Sequence, residues 1–197
     1  MAVALAFADP VHDSQRTFRA VMNAMARPGT IQAVAGLAAA PGPLFPVAAA
    51  VAVALADYET PLWLDAPLAA SSEVAAYLTF HTGARIVAAP AHAIFALVAD
   101  AGSLPDFAEF ALGTDVYPDR STTLILQVAS LTDGARLRLQ GPGIKGHASL
   151  AIAGLPADIS ARLTANHARF PRGVDLVLAG PEGVAALPRT TRVAPEA

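Results

Sequence analysis

Residues 122–147 read TTLILQVASLTDGARLRLQGPGIKGH. The first ten of these, 122–131, are almost uninterrupted apolar residues, as a central strand covered on both faces must be. Thr132-Asp133-Gly134 follows as a hairpin signal. The run 135–141 then alternates, with Leu137 and Leu139 on one side and Arg136, Arg138 and Gln140 on the other, the pattern of a strand with one buried face. A doubly covered strand needs layers above and below it, so the segments on either side must supply them.

Upstream, 13–26 predicts a helix: Asp13 stands at the N-cap, and Phe18, Val21, Met22 and Met25 share a face. Arg16, Arg19 and Asn23 lie opposite, and Arg27-Pro28-Gly29 stops the helix. Residues 47–57 are apolar all round, which predicts a helix buried on most sides. A third helix over 71–81 has Ser71 at its cap, Val74, Tyr77 and Leu78 inward, and Gly83 as terminator. Short apolar runs at 60–65, 84–89 and 93–100 read as strands. Downstream, 157–170 predicts a helix with Ile159 and Leu163 inward, 175–180 a strand, and 187–193 a closing segment. Helices and strands alternate, so the expectation is an α/β chain forming a single domain over residues 1–197, with a mixed β-sheet flanked by helices.

Composition narrows the function. Hydrophobic residues make up 54% and charged residues 15% of 197, and the net charge is −3. That balance argues against a nucleic-acid surface built on bulk charge. There is no cysteine, which removes thiolate metal sites and a cysteine nucleophile and suits a reducing cytoplasm. The uncharged run 33–56 is broken by Gly36, Pro41, Gly42, Pro43 and Pro46, leaving about half the ~20 residues a membrane span needs. MAVALAFADP has no basic stretch of the kind that opens an export signal. The expectation is a cytoplasmic protein with no membrane segment.

Gly141-Pro142-Gly143-Ile144-Lys145-Gly146 has the ingredients of a phosphate-cradling loop but not the order. A P-loop needs its lysine after the last glycine and a hydroxyl next to it. Here Lys145 precedes Gly146, and Pro142 removes a backbone donor. A turn is the first reading of this loop, and the edge of a ligand site the second.

The five histidines, His12, His81, His92, His147 and His167, show no zinc-ligand spacing, so no metal is expected. His81 stands at a helix C-terminus, where it can meet the exposed carbonyls. Arg138 shares a strand face that runs into Gly141, Gly143 and Lys145. Arg189-Thr190-Thr191-Arg192 sets two guanidinium groups around two hydroxyls. Such groups suit phosphate or phosphonate oxygens, and equally an acidic partner or internal ion pairs. These residues are the candidates for binding a ligand or for forming an interface. An anion carrying phosphate or phosphonate oxygens is the candidate ligand. No catalytic residue is assigned.

Several stretches together resemble the PhnH family, the H subunit of the carbon–phosphorus lyase system. They are DPVHDSQRTFRAVMNAMARPG, LADYETPLWLD, FHTGA, TLILQVASL, LRLQGPGI, FPRGVDLVLAG and ALPRTTRV, in that order over roughly residues 9–193. The resemblance implies a subunit of the core complex that handles organic phosphonates, with subunits G, I and J as partners. Such a subunit shares much of its 54% hydrophobic content across interfaces, and on the same grounds a homodimer is expected when it is isolated. It implies a pathway step in which an alkylphosphonate and ATP give ribose 1-alkylphosphonate 5-triphosphate with release of adenine. It also implies a fold like the large domain of pyridoxal-phosphate-dependent transferases, without that cofactor. No cofactor is expected. Lys145, the chain's one lysine, is the only residue that could form a Schiff base, and no acid is evident to pair with a pyridine nitrogen.

Overall fold

The computed structural model describes residues 6–34, 37 and 39–196. Residues 1–5 and Gly36, on which parts of the export and membrane expectations rest, lie outside the described residues. The helices are α1 (Pro10–Ala26), α2 (Pro46–Leu55), α3 (Ala66–Ala69), α4 (Ser72–Thr82) and α5 (Ile159–His167). The strands are β1 (Leu62–Leu64), β2 (Phe95–Val98), β3 (Thr123–Gln127), β4 (Ser130–Gln140), β5 (Ala148–Ala153), β6 (Asp175–Gly180), β7 (Gly183–Leu187) and β8 (Arg192–Pro195). Among the described residues, no helix is long and apolar enough to cross a membrane.

A five-stranded mixed sheet, ordered β1-β2-β3-β6-β7, divides the molecule. The first four strands are parallel and β7 runs antiparallel to β6. β3 is central, and its side chains alternate between two cores. Ile125 joins α1, α2 and α4 on one face, with Leu97 and Val177. Leu124 and Leu126 point the other way, toward α5 and a second sheet, with Leu137, Leu139, Leu150 and Leu163. That second sheet is antiparallel, ordered β5-β4-β8. The layers are thus helices, mixed sheet, and a small sheet with one helix, which is why the middle of β3, Leu124–Leu126, can be apolar on both faces, while the buried Gln127 at its end is hydrogen-bonded to the Phe45 N–H and the Pro43 carbonyl.

Local signals hold where a cap and a face agree. Ser71 accepts a hydrogen bond from the Val74 N–H (3.3 Å), Gly83 closes α4, and Val74, Tyr77 and Leu78 are buried. Ile159 and Leu163 are buried in α5, and residues 175–180 form β6 as expected.

Four expectations are corrected. First, α1 begins at Pro10. Asp9 is the N-cap, accepting from the His12 N–H (3.2 Å), and proline at N1 needs no donor of its own. Asp13 instead closes the cap by accepting from the Asp9 N–H (2.9 Å). The face of α1 turned to the core is Thr17, Ala20, Val21 and Ala24, while Phe18 and Met22 are 45% and 53% exposed. Small side chains on α1 meet the buried Ala48–Ala52 of α2, so the two helices pack through residues that leave no room for a phenylalanine.

Second, Thr132-Asp133-Gly134 is not a hairpin. β4 runs straight through it with a bulge, the register passing from Ser130↔Ala153 to Ala135↔Ile152. At Gly134 (φ +101°) a Cβ would overlap the Ile152 carbonyl, so glycine serves a close strand crossing. The hairpin is residues 141–147, and the segment 148–153, left unassigned by the sequence, is its second strand. Third, 84–89 is no strand: it meets the edge of β1 at the single bridge Leu62↔Ile86 before Pro90 starts a 3₁₀ turn. Fourth, the closing segment divides into β7 and β8, which belong to different sheets.

Candidate functional site

The loop 141–147 is the tip of the β4–β5 hairpin. Ile144 N–H donates to the Gly141 carbonyl (3.2 Å), and proline followed by a glycine at φ +80° makes a type II turn. A strand follows the loop, so the loop does not open onto a helix N-terminus as a phosphate-cradling loop would. A Cβ at Gly143 would overlap the Ala26 carbonyl oxygen and come 3.3 Å from Pro28. The missing side chain is what lets the turn lie against the C-terminal end of α1. Lys145, two residues on, is exposed and makes no ion pair among the described residues.

Beside that contact lies a cleft of about 460 Å³. Met25 and Ala26 of α1, Pro142 and Gly143 of the hairpin, Phe170 and Pro171 after α5, and Pro188 with Thr190 before β8 form its walls. Of the expected site residues, the cleft gathers Gly143, Arg189 and Thr190.

Arg189 is spent on the protein itself. Its backbone N–H donates to Asp175 Oδ1 (2.7 Å), and Nε reaches both carboxylate oxygens (3.1 and 3.2 Å). Nη2 donates to Asp175 and to Ser121 Oγ, and Nη1 to the Pro118 carbonyl (2.7 Å). One guanidinium thereby ties the start of β6 to the loops at 118 and 121, and its charge is met by a carboxylate. What remains of the cleft wall is mainly apolar, with the Asp119 carboxylate also on it.

The other candidates fall elsewhere. Thr191 is buried, its N–H donating to the Pro188 carbonyl (2.8 Å) and its hydroxyl without a hydrogen-bond partner among the described residues. Arg192 is exposed, with Nε 3.3 Å from His167 Nε2, while His167 Nδ1 lies 3.0 Å from the Arg189 carbonyl. Arginine can only donate, so Nε2 accepts and the ring proton sits on Nδ1. Arg138, with Arg136, lies on the outer face of β4, and Gln140 beside them pairs with Arg192. Gly141 sits where the hairpin passes the Thr190 backbone. His81 packs against the rings of Tyr77 (4.6 Å between centroids) and Phe80 (5.0 Å), apart from the cleft residues. Burial pushes the Tyr77 hydroxyl up to about 12.

Sequence reasoning overlooked Asp175, Ser121 and Phe170. Asp175 was legible only as the first residue of a strand, because its partner is fourteen positions away and across a sheet edge. No described cluster of three or more histidine or acidic side chains is close enough to hold a metal ion.

Over residues 5–194 the chain matches the family model described as "Bacterial phosphonate metabolism protein (PhnH)". The chain belongs to the PhnH family. It is 45% identical over 188 residues to the "Alpha-D-ribose 1-methylphosphonate 5-triphosphate synthase subunit PhnH" of Rhizobium meliloti (strain 1021), covering 95% of this chain and 94% of that one. A shorter match, 37% identical over 82 residues and 42% of each chain, is to a "Putative C-P lyase subunit protein HtxG" of Stutzerimonas stutzeri. The match to the PhnH family takes in α1, the hairpin loop, Phe170 and Pro171, and the Arg189 clamp, so every wall of the cleft lies inside it.

Proposed function

We propose that this PhnH-family chain is a subunit of the cytoplasmic assembly that turns an alkylphosphonate and ATP into ribose 1-alkylphosphonate 5-triphosphate, with adenine released. Its role there is structural: it assembles with subunits G, I and J, and pairs with itself when alone. One observation carries the reading, the 45% identity across nearly all of both chains to a protein named as a subunit of that synthase. The cleft supports an assembly role over a catalytic one, because its arginine is already neutralised by Asp175 and tied to backbone carbonyls. The test is light-scattering chromatography of the chain alone and mixed with its host's G, I and J subunits. A defined larger complex is expected, and separate elution would overturn the reading.

A second reading has the chain bind ATP or a phosphonate itself, through Arg138, Lys145 and Arg192. It is favoured by the fact that none of these three cations faces a carboxylate among the described residues. A site filled to a hundredfold over its Kd would stabilise the lone chain by about 2.7 kcal/mol. An unchanged melting temperature at millimolar ATP and methylphosphonate would discard it.

A further inference from the structure

Helix α1 has two apolar faces, and the fold uses one. The inner face packs on α2 and β7. The outer face carries Val11, Phe18 and Met22, spaced by seven and four residues, so all three lie within about 20° of one line down the helix. They are 71%, 45% and 53% exposed. One turn further, Met25, half-buried and packed partly on the inner core, continues this line to the cleft, which the exposed Phe170 also lines. A phenylalanine and two methionines in a row, ending at an apolar pocket, form the kind of surface that receives the apolar face of a helix.

The charge beside this stripe is mainly positive, the exception being Asp119 on the lining of the cleft. Arg16 and His12 are engaged by Asp13 and Asp9. Arg19 on the flank, Arg27 at the end of α1, and Lys145 on the turn locked there by Gly143 have no such partner among the described residues. A second copy of α1 is a poor fit. A two-fold axis across the middle of the stripe would bring Arg19 of both copies to the same side at the same height, and like charges so placed repel.

We infer that the outer face of α1, with the cleft at its C-terminal end, seats an amphipathic helix of a different subunit. Its apolar residues lie along Val11, Phe18 and Met22, one side chain enters the cleft, and Asp or Glu residues on its flank face Arg19, Arg27 and Lys145. This rests on the subunit reading above.

The test mixes the chain with its host's G, I and J subunits. The wild-type chain is compared with the double variant Phe18→Glu/Met22→Glu, the charge variant Arg19→Glu/Lys145→Glu, and Tyr58→Glu, which alters an exposed ring beside Gly83 at the end of α4. Circular dichroism melting establishes that each variant is folded. Incorporation should fall at least about tenfold for the first two and stay at the wild-type level for Tyr58→Glu. A photo-reactive p-benzoylphenylalanine at position 22 should cross-link, in the assembled complex, to an acid-flanked amphipathic helix of another subunit. Wild-type incorporation of the folded double variant overturns the inference and leaves the subunit reading intact. A cross-link between two copies of this chain also overturns it. A wild-type chain that joins no partner at all removes the subunit reading, and the inference falls with it.

Discussion

Asp175 and Arg189 are joined at three points: the Arg189 backbone N–H, its Nε and its Nη2 all donate to the one carboxylate. Both side chains are largely buried, 14% and 12% exposed. Removing either partner strands the other in a poorly solvated place, and breaking such a pair costs about 3 kcal/mol. Asp175→Ala and Arg189→Ala should each lose that much in urea unfolding. Arg189→Lys should recover little, since an ammonium cannot reach the carboxylate, Ser121 and the Pro118 carbonyl together.

The turn at Gly143 should tolerate no side chain. Gly143→Ala must both hold φ +80° and clear the Ala26 carbonyl, so its melting temperature should fall further than that of Gly146→Ala. Gly146 has a similar φ of +77° with open space around it. Left-handed backbone alone costs an alanine about 1–2 kcal/mol. The difference between the two variants measures the close approach of the hairpin to α1, and equal losses would refute that approach.

The two faces of α1 should respond differently to truncation. Phe18→Ser and Met22→Ser sit in solvent and should move the stability of the lone chain by less than about 0.5 kcal/mol. Leu126→Ala, in the doubly covered strand, should cost about 2–5 kcal/mol. A large loss at Phe18 would restore it to the core.

Acid should weaken the joint between the β6–β7 turn and β4. The Glu182 carboxylate is held below its usual range chiefly by the Ser130 hydroxyl (2.6 Å), with help from the Leu131 N–H and the Thr132 hydroxyl. Its folded pKa lies under the unfolded one, so its contribution is present above pH 4.5, the ordinary value, and is lost as pH falls through the folded pKa. Ser130→Ala should therefore be less stable than wild type at neutral pH, and the gap should close toward pH 3. A gap that persists unchanged in acid would show that the bond is not charge-linked.

Much of the architecture follows from short-range chemistry. The cap at Ser71, the stop at Gly83, the apolar run of β3 and the alternation of Leu137 and Leu139 with Arg136 and Arg138 are read within one or two turns of chain. A hydrogen bond three residues away, a glycine free to turn left-handed, or the order of apolar residues along a strand decides each of them. The family was legible for a similar reason, since its motifs are contiguous stretches. Tertiary structure settled what depends on distant partners. Whether Phe18 or Ala20 faces inward is set by the alanines of α2, about thirty residues on. Whether Thr132-Asp133-Gly134 turns or bulges is set by where β5 pairs, and whether Arg189 is free to bind an anion is set by Asp175 and Ser121. Local sequence fixes which conformations a segment favours; only packing decides which of its faces is used and which of its charges is already spent.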